Sequence, residues 1–188
     1  MGLPQAIAED MSFNDYLEIE KTSETKHEFI AGLVYAMAGA SRNHNLISGN
    51  LFAALHAHSR GTTCNAFMAD MLLKLRINNE DIAYYPDLMV DCDNSNQEKL
   101  FINHPTVIIE VLSKSTARID LREKFFAYQT IDQLQEYIVV KQAEREVIMY
   151  SRALNWQAES FKAEDLLIIP SIKLEIPVKD IYESVVFD

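Results

Sequence analysis

The chain has 188 residues, a length usual for one domain, and its 17 Lys and Arg against 28 Asp and Glu leave a formal net charge of −11. That balance excludes functions that need a generally basic surface, because phosphate binding draws its affinity from neutralising cations. It leaves open a single cleft of opposite sign, for which Arg42, Lys74, Arg76, Lys114, Arg118, Arg122 and Lys124 are the available cations.

No run approaches the roughly 18 apolar residues of a membrane-spanning helix, and the N-terminus lacks the basic-then-apolar pattern of a leader. The expectation is a soluble, cytoplasmic, single-domain protein over residues 1–188 with no membrane partner. Cys64 and Cys92 have neither CxxC spacing nor companions for a zinc site. A disulfide is unusual in a reducing compartment, so they read as buried thiols.

In chain order, Ser12 to Asp15 fits a capping box and opens a short amphipathic helix to about Ile19 that turns Phe13, Tyr16 and Leu17 inward. Residues 27–30 and 33–37 flank Ala31-Gly32 as a hairpin, with Glu28 on its first arm. From Asn43 to about Ser59, Ile47, Leu51, Ala54 and Leu55 recur at helical spacing behind a candidate N-cap at Ser41, and Gly61 ends the run. His44 lies near the start of that helix, where it can serve a site or simply pack.

Strand-like segments follow over 64–76 and 82–90, separated by a polar turn at 78–81, and residues 91–98 read as a loop. The near-continuous β-branched run 107–112 has the character of a strand buried on both faces, which places it centrally in a mixed sheet beside 85–90. A helix over 116–130 is expected next, capped by Ser115 or Thr116. It carries Leu121, Phe125 and Tyr128 on one stripe and Asp120, Lys124 and Tyr128 on an adjoining line. Residues 136–140, 147–150 and 156–161 read as three more strands, and the tail ends in a short helix at 178–182.

The chemistry concentrates in two acids set within hydrophobic segments, Asp87 after Pro86 and Glu110 inside Val107-Ile108-Ile109-Glu110-Val111-Leu112. A buried carboxylate needs a compensating cation, which is either a side chain or a metal. Two acids on neighbouring strands with Lys124 close by suit metal-assisted phosphodiester hydrolysis, since carboxylate oxygens are preferred Mg²⁺ ligands and a lysine can orient water or stabilise developing charge. The competing reading is an internal ion pair of Glu110 with Lys124 or an Arg.

The ordered set Pro86-Asp87, Glu110-Val111-Leu112-Ser113 with Ser115-Thr116, then Asp120, Lys124, Tyr128 and Glu136-Tyr137-Ile138-Val139-Val140, resembles the Uma2 family of restriction-endonuclease-like proteins. The likeness extends upstream through His27-Glu28-Phe29-Ile30-Ala31-Gly32 and His44, covering about residues 12–182. It implies the PD-(D/E)XK nuclease fold, an α/β architecture with a mixed central β-sheet flanked by α-helices. It also implies Mg²⁺ or Mn²⁺ held by Asp87, Glu110 and the main-chain carbonyl of Val111, with Glu28 and Lys124 completing the catalytic set. DNA is the implied substrate, and a homodimer fits a fold that cuts both strands of a duplex, although no residue identifies an interface. The broad nuclease pattern puts a lysine two residues after the second acid, where this chain has Leu112, so Lys124 must act from the following helix. The alternative is a non-catalytic member of the fold serving as a binding or assembly module.

Overall fold

The computed structural model describes residues 5–37, 39–93, 98–112 and 120–187, with the backbone alone for 120 and 121. Ser12 caps α1 (Phe13–Glu20), its Oγ accepting the Asp15 N–H at 3.2 Å, which satisfies a donor that every helix start leaves unpaired. Strands β1 (His27–Ile30) and β2 (Leu33–Ala36) turn at Ala31 and Gly32, whose φ values of 49° and 89° give the doubly left-handed turn that matches strand twist. Ser41 caps α2 (Arg42–Ser59) by accepting the His44 N–H at 3.1 Å.

Next come β3 (Asn65–Met68), β4 (Leu72–Ile77), β5 (Glu80–Tyr84) and β6 (Leu88–Asp91). The expected turn at 78–81 is confined to Asn78 and Asn79, at φ 52° and 68°, because asparagine tolerates the left-handed region. After β7 (Phe101–Ile102) and β8 (Val107–Leu112), residues 113–119 and the proposed caps Ser115 and Thr116 lie outside the described residues. The remainder of the helix expected over 116–130 is a π-helical turn at Asp120–Lys124 that passes into α3 (Phe125–Gln129). Strands β9 (Glu136–Lys141), β10 (Glu146–Ser151), β11 (Ala158–Lys162), β12 (Leu166–Ile169) and β13 (Leu174–Pro177) follow, and then α4 (Val178–Ile181).

The mixed sheet runs β11-β10-β9-β8-β6-β3, with β8 parallel to β9 and antiparallel to β6. A second sheet, β2-β1-β5-β4-β7, accompanies it, because the two tight hairpins pair with each other through Phe29 and Ala83. All six residues of β8 are buried, and strand alternation sends them to two different cores. Val107, Ile109 and Val111 meet Ile47, Leu51 and Leu55 of α2 together with the C-terminal strands. Ile108 and Leu112 face Tyr137 and Val139, Tyr128 of α3, and Leu73 and Leu75 of β4. A third core packs Phe13 and Tyr16 of α1 on the far face of the second sheet against Phe29, Val34 and Leu72. Among the described residues no helix is long and apolar enough to cross a membrane.

The reading of Cys64 and Cys92 as thiols is corrected. They form a disulfide joining half-buried positions 28 residues apart. The cause is register: Asn65 pairs with Asp91 across β3 and β6, so one step outward sets Cys64 opposite Cys92. Closing a loop of this length restricts the unfolded chain by about 3–4 kcal/mol. Protein isolated without reductant should therefore titrate no thiols until reduced, and Cys92→Ser should lower the unfolding free energy measured in urea by about that amount.

Glu136, only 3% exposed, accepts hydrogen bonds from the Ser171 hydroxyl and, at 3.4 Å, its N–H. Burial raises its pKa above the ordinary carboxylate value, and the Ser171 bonds offset this in part. An acid whose folded pKa is raised favours folding when protonated and loses that advantage as pH rises through the folded value. Glu136→Gln should thus raise Tm at neutral pH, and the gain should shrink as the pH is lowered into the carboxylate range.

Candidate active site

Pro86 sets the site. Proline has no N–H to give to a ladder, and β6 begins only at Leu88, with Leu88 opposite Ile109. One further step in that register brings Asp87 level with Glu110, but there the pairing with β8 ends. The Asp87 carboxylate takes the missing partner's place, its Oδ2 accepting the Val111 N–H at 2.7 Å. The Asp87 N–H lies 3.4 Å from Glu110 Oε2. Because the N–H and C=O of a strand residue point to the same side, the Val111 carbonyl also faces the gap that β6 leaves.

Glu110 is 3% exposed, and its two oxygens are differently engaged. Oε1 accepts from the Tyr128 hydroxyl at 2.8 Å and from Lys124 Nζ at 3.2 Å, whereas Oε2 lies on the Asp87 side. Lys124, itself 5% exposed, reaches Glu28 Oε1 at 2.9 Å, so one ammonium is shared by two carboxylates. It also stands 5.3 Å from the centre of the Tyr84 ring, a favourable cation–π placement. Burial, with Glu110 next in effect, holds Tyr128 well above the usual phenol pKa. Burial and then Glu28 push Tyr84 up to about 12. Both phenols stay protonated near neutrality, which keeps Tyr128 a donor.

His44, in the first turn of α2, closes the other side, with Nε2 3.1 Å from both Asp87 oxygens. Glu28, His44, Asp87, Glu110 and Lys124, singled out from the sequence, are thus brought into one contiguous network. The side chain of Asp120, together with Lys114 and Arg118, lies outside the described residues. Lys74 does not join the network: it pairs with Asp81 at 3.4 Å and sits 4.0 Å from the Phe13 ring centre. The part that sequence reasoning missed is the anchoring of Glu110 by Tyr128, whose visible signal was its place four residues after Lys124 on one helix face.

The donors gathered here are mainly oxygen atoms, the kind that hard divalent cations take. Among the described residues no three His, Cys, Asp or Glu side chains form a group able to hold one ion. Two carboxylates with a carbonyl do suit Mg²⁺, which uses one or two carboxylates and keeps several waters. The fit therefore rests on Asp87, Glu110 and the Val111 carbonyl.

The family model Uma2, described as "Putative restriction endonuclease", matches residues 13–179. The chain belongs to the Uma2 family. It is similar to "Uncharacterized protein slr1290" of Synechocystis sp. (strain ATCC 27184 / PCC 6803 / Kazusa), at 34% identity over 187 residues, covering 98% of this chain and 97% of the relative. A second relative from that organism, "Uncharacterized protein sll1609", is 36% identical over 131 residues, covering 68% of this chain and 73% of its own. The crystal structure of "a putative nuclease belonging to DUF820" from Anabaena variabilis ATCC 29413 matches with a TM-score of 0.71 at 17% identity, over 91% of this chain and 98% of that one. At that identity the likeness carries the fold alone, a mixed α/β architecture.

In this Uma2 chain, Leu112 shares the core face of Glu110 and is buried there. The ammonium comes instead from the helix that packs over that face. Tyr128→Phe should remove one of the two described donors to Glu110 Oε1 and cost about 1.5–3 kcal/mol in urea unfolding, the range of a hydrogen bond to a charged group. A cost below 0.5 kcal/mol would show that Glu110 does not depend on the phenol.

Proposed function

We propose that this protein hydrolyses phosphodiester bonds in a metal-dependent reaction, with DNA the leading substrate. The observation that carries the reading is the convergence of Asp87 and Glu110 at the end of β6, with Lys124 Nζ 3.2 Å from the second acid. Mg²⁺ or Mn²⁺, held by Asp87, Glu110 and the Val111 carbonyl, would supply Lewis acidity toward a phosphate oxygen. The chain's own residues do the rest. Lys124 presents an ammonium beside the acids, where it can orient an attacking water and offset the charge that gathers on the phosphate. Glu28 fixes that ammonium from the opposite side, and His44 holds the orientation of Asp87. Water adds to phosphorus as it gives up a proton, one P–O ester bond breaks, and the departing oxygen takes up a proton, so that none is gained or lost overall.

A second reading, a non-catalytic binding or assembly module on the same fold, is favoured by one feature. Lys124 is almost wholly buried between two carboxylates, as in a structural ion pair. Fold alone does not choose between the two, because function lies in the site.

The test is incubation of supercoiled, linear and single-stranded DNA with the protein in Mg²⁺ or Mn²⁺, beside Asp87→Asn and Lys124→Met variants whose folding is checked by circular dichroism. Cleavage by the wild type that falls at least ~100-fold in both variants is expected, the scale of losing one positioned catalytic group. Equal cleavage in all three preparations would betray a contaminant. Bound metal without cleavage of any substrate would favour the module.

A further inference from the structure

Behind the two acids, on the opposite face of β1, lies a second polar cluster that takes no part in the chemistry described above. Its centre is Glu20, the last residue of α1, with a side chain only 9% exposed. Glu20 Oε1 stands 2.7 Å from His27 Nδ1, and Oε2 accepts the Tyr85 hydroxyl at 2.8 Å and the His27 N–H at 3.4 Å. The Tyr16 hydroxyl, one turn earlier on α1, donates to the His27 carbonyl at 2.7 Å.

The location is unfavourable on two counts. A largely enclosed carboxylate loses much of its hydration, which its bonds to His27 and Tyr85 and the nearby charge of Lys26 must replace, and a negative charge at a helix C-terminus opposes the helix dipole. Local choices that run against stability collect where a site needs them. What this one accomplishes can be read from the chain positions of its partners. His27 directly precedes Glu28, and strand alternation turns His27 toward α1 and Glu28 toward Lys124. Tyr85 precedes Asp87 by two residues, through Pro86, whose ring limits backbone freedom between them. One carboxylate therefore grips, at one and two residues' distance, the segments that deliver two members of the site.

We propose that Glu20 is a positioning residue that sets the placement of Glu28 and Asp87 relative to Glu110 by clamping His27 and Tyr85. Its bearing on catalysis rests on the phosphodiesterase reading, whereas its bearing on geometry does not. The clamp contacts neither acid, and it acts through the backbone of β1 and through the Tyr85-Pro86-Asp87 turn.

The Val111 amide reports on the clamp independently of metal and activity, because its N–H is held by Asp87 Oδ2. Hydrogen exchange followed by NMR on the full chain, for wild type, Glu20→Gln and Tyr85→Phe, reads that bond directly. Exchange at Val111 should speed up at least tenfold in Glu20→Gln and by a smaller factor in Tyr85→Phe, while Val139 and Val147 in the same sheet keep their protection. Mn²⁺ titrated into the same samples should bind about tenfold more weakly to Glu20→Gln. Unchanged exchange at Val111 in a folded variant overturns the proposal, as does an equal loss across the sheet, which would mark general destabilisation. Should Glu20→Gln not fold, the milder Tyr85→Phe decides. A wild type that binds no Mn²⁺ and cuts no DNA would sink the phosphodiesterase reading, and the Val111 exchange would still judge the clamp.

Discussion

Glu110 stands in the middle of a strand whose six residues are all buried, and the arrangement of the site follows from how that charge is accommodated. A carboxylate so enclosed costs several kcal/mol unless it is paired and hydrogen-bonded. Lys124 supplies the charge and Tyr128 a second donor, both to the same oxygen. They stand four residues apart, so one helix face delivers them together. Packing of that helix over the face of β8 that carries Ile108 and Leu112 is therefore both a hydrophobic and an electrostatic requirement. The π-helical turn at Asp120–Lys124 lies where the ammonium enters, in keeping with the tendency of such turns to occur at functional sites.

The second constraint is the early end of β6. Had residue 86 been able to extend the ladder, the edge of β8 at Val111 would be closed by backbone and no side chain could reach it. With proline there, the Asp87 carboxylate substitutes for a ladder partner, and His44 holds it from α2. The first acid is thus presented by an interruption of the sheet, and the second by a strand that continues past it. Two carboxylates come side by side without both having to sit within regular strands.

Much of this was readable from the sequence wherever a local rule governed. The run 107–112 announced a buried central strand, Ser12 and Ser41 announced two helix starts, and Ala31-Gly32 announced a hairpin. The charged residues inside apolar segments pointed to the site, because burial of charge demands a partner wherever it occurs. The unread features depend on register or on contacts between distant segments. Cys64 and Cys92 face each other only because β3 and β6 pair at a particular offset, with a whole hairpin between them in sequence. The start of β6 at Leu88 rather than Tyr85 depends on how Pro86 ends the ladder. Glu20, His27 and Tyr85 gather from a helix, a strand and a connecting segment, and none has a spacing that would mark it.

Charge distinguishes the site from the surface around it. Glu28, Asp87 and Glu110 contribute three negative charges in their ionised forms and Lys124 one positive charge, a formal sum of −2 within one largely enclosed cluster. The molecule as a whole carries −11, but most of that lies in water, where screening weakens each interaction beyond about 8–10 Å. Inside the cluster the effective dielectric is lower and the same charges act far more strongly. The deficit has the sign and size that one divalent cation would neutralise, which supports the proposed Mg²⁺ or Mn²⁺. It also bears on the polyanionic substrate proposed here. An exterior of this sign repels a phosphate backbone, and a cluster neutralised in this way would attract it only through the cation's own affinity for a phosphate oxygen. Substrate engagement would then depend on metal loading, with little non-specific affinity in its absence.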